Sequence, residues 1–241
     1  MTAVERRFDF GARTHPGLVR KVNEDGFLAD PRTGLWAVAD GMGGHDDGAF
    51  ASNTLIEALQ TVGIPSTAAN FLERLEDRVI RANSRIYDHA TTRGGGATGT
   101  TLAALLVHGD GFATVWCGDS RVYLVRRGAI TLLTHDHTEV QELIDSGVLS
   151  AAEAKYSPRA HVITRAIGSQ AEPLLDFEWG ALQPSDIFVL CSDGLTGHVE
   201  DSEIRDACLR APNAAAACDR LIELTLQRGA RDNVTVIVVR C

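Results

Sequence analysis

The stretch Gly111–Thr134, GFATVWCGDSRVYLVRRGAITLLT, decides the class of fold. Its three runs GFATVWC, RVYLVRR and AITLLT are rich in β-branched and aromatic residues, and only Gly-Asp-Ser and Arg-Gly separate them. Turns this tight join antiparallel neighbours, because a parallel crossover needs a dozen or more residues. The stretch therefore predicts an antiparallel meander.

Upstream, TTLAALLV reads as a strand whose alternation is too weak for a surface sheet, and shorter β-like runs occur at Phe8–Ala12, Phe27–Ala29 and Leu35–Ala39. Between these lie two helical segments. Gly48–Val62 predicts a short helix. In Ser66–Ala90 the residues Leu72, Leu75, Val79, Ala82 and Ile86 step by three and four, with Ser66 or Thr67 as the cap. Downstream, Thr138–Gly147 and Ser150–Lys155 predict short helices, the second opening on a Ser-x-x-Glu capping box. Strands follow at Leu175–Leu182 and Asp186–Cys191, a helix pair fills Ser202–Arg228, and NVTVIVVR closes the chain as a strand. This order lacks the βαβα alternation of a parallel sheet and predicts antiparallel sheets with helices packed outside. With no repeat, low-complexity tract or linker, one domain over residues 1–241 is expected.

Apolar residues make up 44% of the 241 and charged residues 23%, which suits a soluble globular chain. The net charge of −9 argues against nucleic acid or an anionic membrane as partner. Five cysteines (117, 191, 208, 218, 241) form no CxxC pair and fit reduced thiols in the cytoplasm. The start MTAVERRFDF has no apolar signal core, and no apolar run reaches the length of a membrane span.

Chemistry is concentrated in acids beside strands: Asp25 in VNED, Asp40 in AVADG, Asp119 in VWCGDSR, Asp193 in LCSDGL and Asp232 in ARDNVTV. Any one of them alone reads as a turn residue. Sheet geometry can bring strand ends together, however, and converging carboxylates repel unless cations hold them. Carboxylate and carbonyl ligands favour hard divalent ions, and a pair of ions roughly 3.5–4 Å apart can activate a bridging water. Other chemistries lack their motifs: there is no Cys-x5-Arg loop, GxSxG, HExxH or Walker A pattern. Gly94–Gly99 matches GxGxxG but precedes a strand, so it reads as a loop. His135 and His137 flank Asp136 as a metal pair or, more simply, a loop cap. Arg20, four residues before Glu24, can hold a phosphate bidentately or pair with its acidic neighbours.

The motifs R-x-x-N-E-D, VADGMGGH, GTT, GDSR, DHT, TRAIG, CSDGL and DNVTV, in this order from Arg20 to Val236, resemble the metal-dependent protein phosphatases (PPM, or type 2C, Ser/Thr phosphatases) in their compact bacterial form. The resemblance implies an α+β fold, a four-layer αββα sandwich of two antiparallel sheets flanked by helices. It implies hydrolysis of phosphoserine and phosphothreonine in proteins at a centre of two manganese or magnesium ions. Asp40 would bridge both ions, the Gly41 carbonyl would bind one, and Asp193 and Asp232 would complete the other. Glu24 would hold metal-bound water, Asp119 with Asp193 would form a weaker third ion site, and Arg20 would bind phosphate. Asn233 would orient Asp232, Thr100, Ser120 and Arg165 would be structural, and residues 138–160 would form a flap beside the cleft. Met42 departs from the relatives that carry a His there as general acid, and His45 nearby has an uncertain aim. The partners implied are phosphorylated proteins, including a Ser/Thr kinase, met by a monomer.

Overall fold

The computed structural model describes residues 8–43, 47–93, 98–154, 157, 159 and 162–241. His45, most of the GxGxxG match and part of the expected flap lie outside the described residues.

Two antiparallel sheets are stacked face to face. The first runs β1 (Asp9–His15), β11 (Val234–Arg240), β10 (Ile187–Cys191), β7 (Arg121–Arg126) and β8 (Ala129–Leu132). The second runs β2 (Asp25–Asp30), β3 (Leu35–Met42), β5 (Leu102–His108), β6 (Gly111–Cys117) and β9 (Asp176–Ala181), with the short β4 (Gly99–Thr100) paired to the end of β3. Helices α1 (Asp47–Leu59) and α2 (Ala68–Thr92) cover the second sheet. Helices α5 (Asp193–Thr196), α6 (Asp201–Arg210) and α7 (Ala214–Gln227) cover the first. The short α3 (Glu139–Asp145) and α4 (Ala151–Ala154) lie between β8 and β9. This is the expected αββα order of layers.

The layering explains the weak alternation of the central strands. In β5, Leu102, Ala104 and Leu106 pack under α1 and α2, whereas Ala103, Leu105 and Val107 pack between the sheets. In β11, Val234, Val236 and Val238 face the helices, and Ile237 and Val239 face the other sheet. Strands buried on both faces read as apolar throughout. Helix α2 shows the opposite signature, a stripe of Phe71, Leu75, Val79, Ala82, Ile86 and Ala90 with Leu72 half-buried beside it. Its cap is Thr67, whose side chain accepts from Asn70 N–H at 3.1 Å. The Ser150–Glu153 box also forms, opening α4.

The expected meander is only half present. β7 and β8 form a hairpin whose turn, Arg127 and Gly128, has φ of 52° and 80°, as a type I′ turn requires. β6 and β7 do not pair: β6 lies between β5 and β9, and β7 lies between β10 and β8. Gly118-Asp119-Ser120 is a corner that carries the chain from one sheet to the other. Gly118 has φ 103°, and a Cβ there would sit 2.7 Å from Thr101 Cγ2. Hairpin turns and sheet-to-sheet corners use the same small polar residues, so the sequence pattern does not separate them.

Candidate functional site

The acids that the sequence scatters gather where the two sheets end together. Asp25, opening β2, lies opposite Asp40 on β3. Ser192 Oγ and Thr235 Oγ1, from the end of β10 and the start of β11, donate to Asp25 Oδ2 at 2.9 and 2.7 Å. The carboxylate thus joins the second sheet to the first. Asp40 is fixed at its backbone: its N–H donates to Thr101 Oγ1 at 2.9 Å, and its carbonyl accepts from Thr100 Oγ1 at 3.0 Å and Thr101 N–H at 2.8 Å.

Close backbone approach explains the Asp-Gly pairs. A Cβ on Gly41 would collide with Gly48 O and lie 2.7 Å from Glu24 O, so only glycine lets β3, the Glu24 loop and α1 meet. A Cβ on Gly194 would collide with Asn233 O, so the Asp193 turn can lie against the Asp232 turn. Asp119, buried at the sheet-to-sheet corner, approaches beside Ser120, whose Oγ is 2.7 Å from Thr101 Oγ1.

Burial without compensation dominates the electrostatics. Asp40 titrates well above the usual carboxylate range, first from burial and then from the charges of Asp25, Asp193, Asp119 and Asp232. Asp25 is pushed up to about 7 by burial, against the hydrogen bonds from Thr235 and Ser192. Glu24 is also raised by burial, partly offset by Arg20 and the Ala49 backbone. Its Oε1 and the Oδ1 of Asp25 are buried polar atoms with no hydrogen-bond partner. Carboxylates stacked to mutual disadvantage, with such atoms unpaired, form a donor set suited to hard dications. As they stand, no three His, Cys, Asp or Glu groups among the described residues are closed around one point. Asp232 is turned onto Arg20, which donates to it bidentately from Nε at 2.9 Å and Nη2 at 2.7 Å.

The sequence-predicted Arg20, Glu24, Asp40, Gly41, Asp119, Asp193 and Asp232 thus belong to one neighbourhood. Asn233 contacts both Asp232 and the loop before β2. Its backbone N–H donates to Asp232 Oδ1 at 2.9 Å, but its side chain fastens the loop that carries Arg20 and Glu24. Oδ1 accepts from Glu24 N–H at 2.8 Å, and Nδ2 donates to Pro16 O at 3.0 Å and Val22 O at 2.9 Å. Asp25 was visible as a strand-end acid, yet nothing in its motif placed it against Asp40. The signal was the Ser before Asp193 and the Thr two residues after Asn233, hydroxyls that need an acceptor between the sheets. Met42 lies over Gly99, where a Cβ would come within 2.9 Å of its Cε.

The His135–His137 segment is a clasp, as the loop-cap reading expects. His135 meets Asp145 at 2.7 Å, Asp136 takes Arg121, and His137 accepts from Gly118 N–H while facing Asp176 at 3.2 Å. Arg165 joins it through Asp176 at 3.1 Å. No helix among the described residues is long and apolar enough to cross a membrane.

Residues 20–232 match the family model described as Protein phosphatase 2C. The serine/threonine protein phosphatase PstP of Mycobacterium tuberculosis is 41% identical over 231 residues, 95% of this chain; the chain spans 44% of that relative's length. Among solved structures, PppA, described as a key regulatory component of T6SS in Pseudomonas aeruginosa, superposes with a TM-score of 0.91 at 38% identity. That match covers 98% of both chains. The catalytic domain of PstP in complex with two manganese ions superposes with a TM-score of 0.85 at 39% identity, covering 97% of both chains.

Proposed function

The chain belongs to the protein phosphatase 2C family, and on that premise we propose that it hydrolyses phosphoserine and phosphothreonine in proteins at a centre of two manganese or magnesium ions. The observation that carries this reading is the gathering of Asp25, Asp40, Asp119, Asp193 and Asp232 where the two sheets end together, with Asp25 opposite Asp40 and the Asp193 turn packed on the Asp232 turn. The manganese-bound PstP domain supports the choice of metal.

Asp40, Asp193 and Asp232 would hold the ions with the Gly41 carbonyl, and Asp119 with Asp193 would offer a third position. When bound, the ions lower the pKa of water and offset the charge of the phosphoryl group. The remaining work falls to the chain. Arg20, whose guanidinium fork holds Asp232 in this structure, would exchange that carboxylate for two phosphoryl oxygens and hold the ester in line. Glu24, in the loop before β2 and anchored through its N–H to Asn233, holds its carboxylate against the first turn of α1 and orients water by accepting its hydrogen bond. Asp25 ties the two sheets at the base of the site, so the acids of β3 and of α5 keep one spacing. Uncatalysed phosphate monoester hydrolysis is among the slowest reactions in water, so the site must lower the barrier by roughly 20 kcal/mol or more.

The substrates we assign are phosphorylated proteins, including a Ser/Thr kinase whose action the chain reverses in the cytoplasm as a monomer. The chain acts as one domain, with residues 138–160 as a flap that bears on substrate choice. Asp40→Ala and Asp193→Ala are each expected to abolish manganese-dependent phosphate release from a phosphothreonine peptide, and EDTA to abolish it in the parent protein. Near-normal turnover in either variant would overturn the assignment.

A further inference from the structure

Among the described residues, no strand covers the β9 edge of the second sheet. Among the described residues β9 has β6 as its only strand partner, so one row of its amides faces outward. The Leu182 N–H donates to Asp110 O at 2.9 Å, which sets the phase of the ladder. Gly180 and Glu178 therefore bond to β6, whereas Phe177, Trp179 and Ala181 turn N–H and C=O away from it. Arg126 Nη2, reaching Ala181 O from outside at 2.8 Å, fits this phase.

The residues with outward amides also carry exposed rings. Phe177 is 48% and Trp179 69% exposed, with ring centroids 5.6 Å apart in a stacked pair, and Leu174 just before them is 55% exposed. Edge strands are ordinarily protected by lysine, proline or a bulge, and none of these stands between Asp176 and Ala181. The other two tryptophans, Trp36 and Trp116, are buried. Glu178, between the two in sequence, stands exposed on the opposite face of β9. Residues 170–180, QAEPLLDFEWG, hold three acids and no Lys or Arg. One of the three, Asp176, is already held by Arg165 and His137.

We propose that the β9 edge is a docking site for an extended segment of a partner protein in which apolar and basic residues alternate. Such a segment adds to the sheet as a further strand. Its amides meet those of Phe177 and Trp179, its apolar side chains lie against the two rings, and its basic side chains stand beside Glu178. The period of two in the strand sets the pattern of the partner, and the local acidity sets its charge. β9 lies three strand spacings from β3 in the sheet order, about 14 Å, and Trp179 is level, through Ala113 and Leu106, with Leu35 at the end of β3 away from Asp40, so a segment docked on the rings leaves the acidic cluster open.

The test uses a labelled peptide of alternating valine and lysine, and a control of the same composition with the lysines in one block. Anisotropy is expected to show binding of the alternating peptide, and acrylamide quenching of Trp179 is expected to fall as it binds. Trp179→Ala should weaken binding about tenfold or more. Glu178→Lys should weaken it and favour a valine–glutamate peptide. Both variants should turn over p-nitrophenyl phosphate at the parent rate, which checks that they fold. Absence of binding, equal binding of the block peptide, or no effect of Trp179→Ala would overturn the proposal. So would shielding of Trp179 that grows with protein concentration alone, since the edge would then pair two copies of the chain.

Discussion

Asn233→Ala is the perturbation with the clearest consequence. The side chain is 5% exposed and makes three hydrogen bonds, to Glu24 N–H, Pro16 O and Val22 O. At about 1 kcal/mol net each, with the partners left poorly satisfied, the loss is about 3 kcal/mol, falling on the loop between Pro16 and Glu24. Because that loop carries Arg20 and Glu24, activity should fall by more than stability alone explains. Urea unfolding should report the lost stability, and phosphopeptide kinetics under fully folded conditions should show KM raised along with kcat lowered. Asn233→Asp keeps the acceptor for Glu24 N–H but sets a carboxylate against two carbonyls, so it should be no better than alanine. A loss below about 1 kcal/mol with unchanged kinetics would refute the reasoning, because the loop would then be held by something other than Asn233.

Three further outcomes follow from named contacts. Gly194→Ala should destabilise the protein and abolish activity together, since the added Cβ collides with the Asn233 carbonyl and parts Asp193 from Asp232; parent-like thermal stability would contradict that packing. Asp25 has a folded pKa raised to about 7 from an unfolded value near 4, so the folded state binds its proton more tightly. In EDTA its contribution is therefore fully present below about pH 4 and lost as pH rises to about 7, a difference of up to about 4 kcal/mol. Asp25→Asn should remove that loss, so urea midpoints that run parallel in parent and variant across this window would count against it. Finally, Cys117, Cys191, Cys208 and Cys218 are buried, with burial pushing each thiol up to about 12. Iodoacetamide at neutral pH should leave phosphatase activity intact, with mass spectrometry finding these four unmodified.

The layers and most of the candidate site were legible because their signals are local. Apolar runs such as TTLAALLV mark strands buried on both faces, and the three-and-four spacing from Leu75 to Ile86 marks the face of α2 that packs on the sheet. Asp-Gly at a strand end marks a backbone approached closely on one side, as Gly41 and Gly194 show. What stayed hidden depends on partners distant in the chain. Gly118-Asp119-Ser120 has the composition of a hairpin turn, and only the pairing of β7 with β10 reveals a corner. The role of Asn233 lies in three contacts more than two hundred residues away in sequence, which a one-dimensional pattern does not carry. Asp25 was visible as an acid but not as a tie, because Ser192 and Thr235 approach it only through sheet stacking.

The pairing of β1 with β11 has a consequence in time. Asp9 lies opposite Arg240 and His15 opposite Val234, so the first strand finds its neighbour only in the last. β11 is also interior to its sheet, lying between β1 and β10. While the chain is being made, β1 must wait until residues 234–240 have emerged, and until then the sheet stays open at its centre. Asp232 and Thr235 arrive with β11, so the acidic cluster and the two sheets are completed together. A ribosome-bound chain that has already made Asp40 and Asp193 therefore has half a site and no route to early activity.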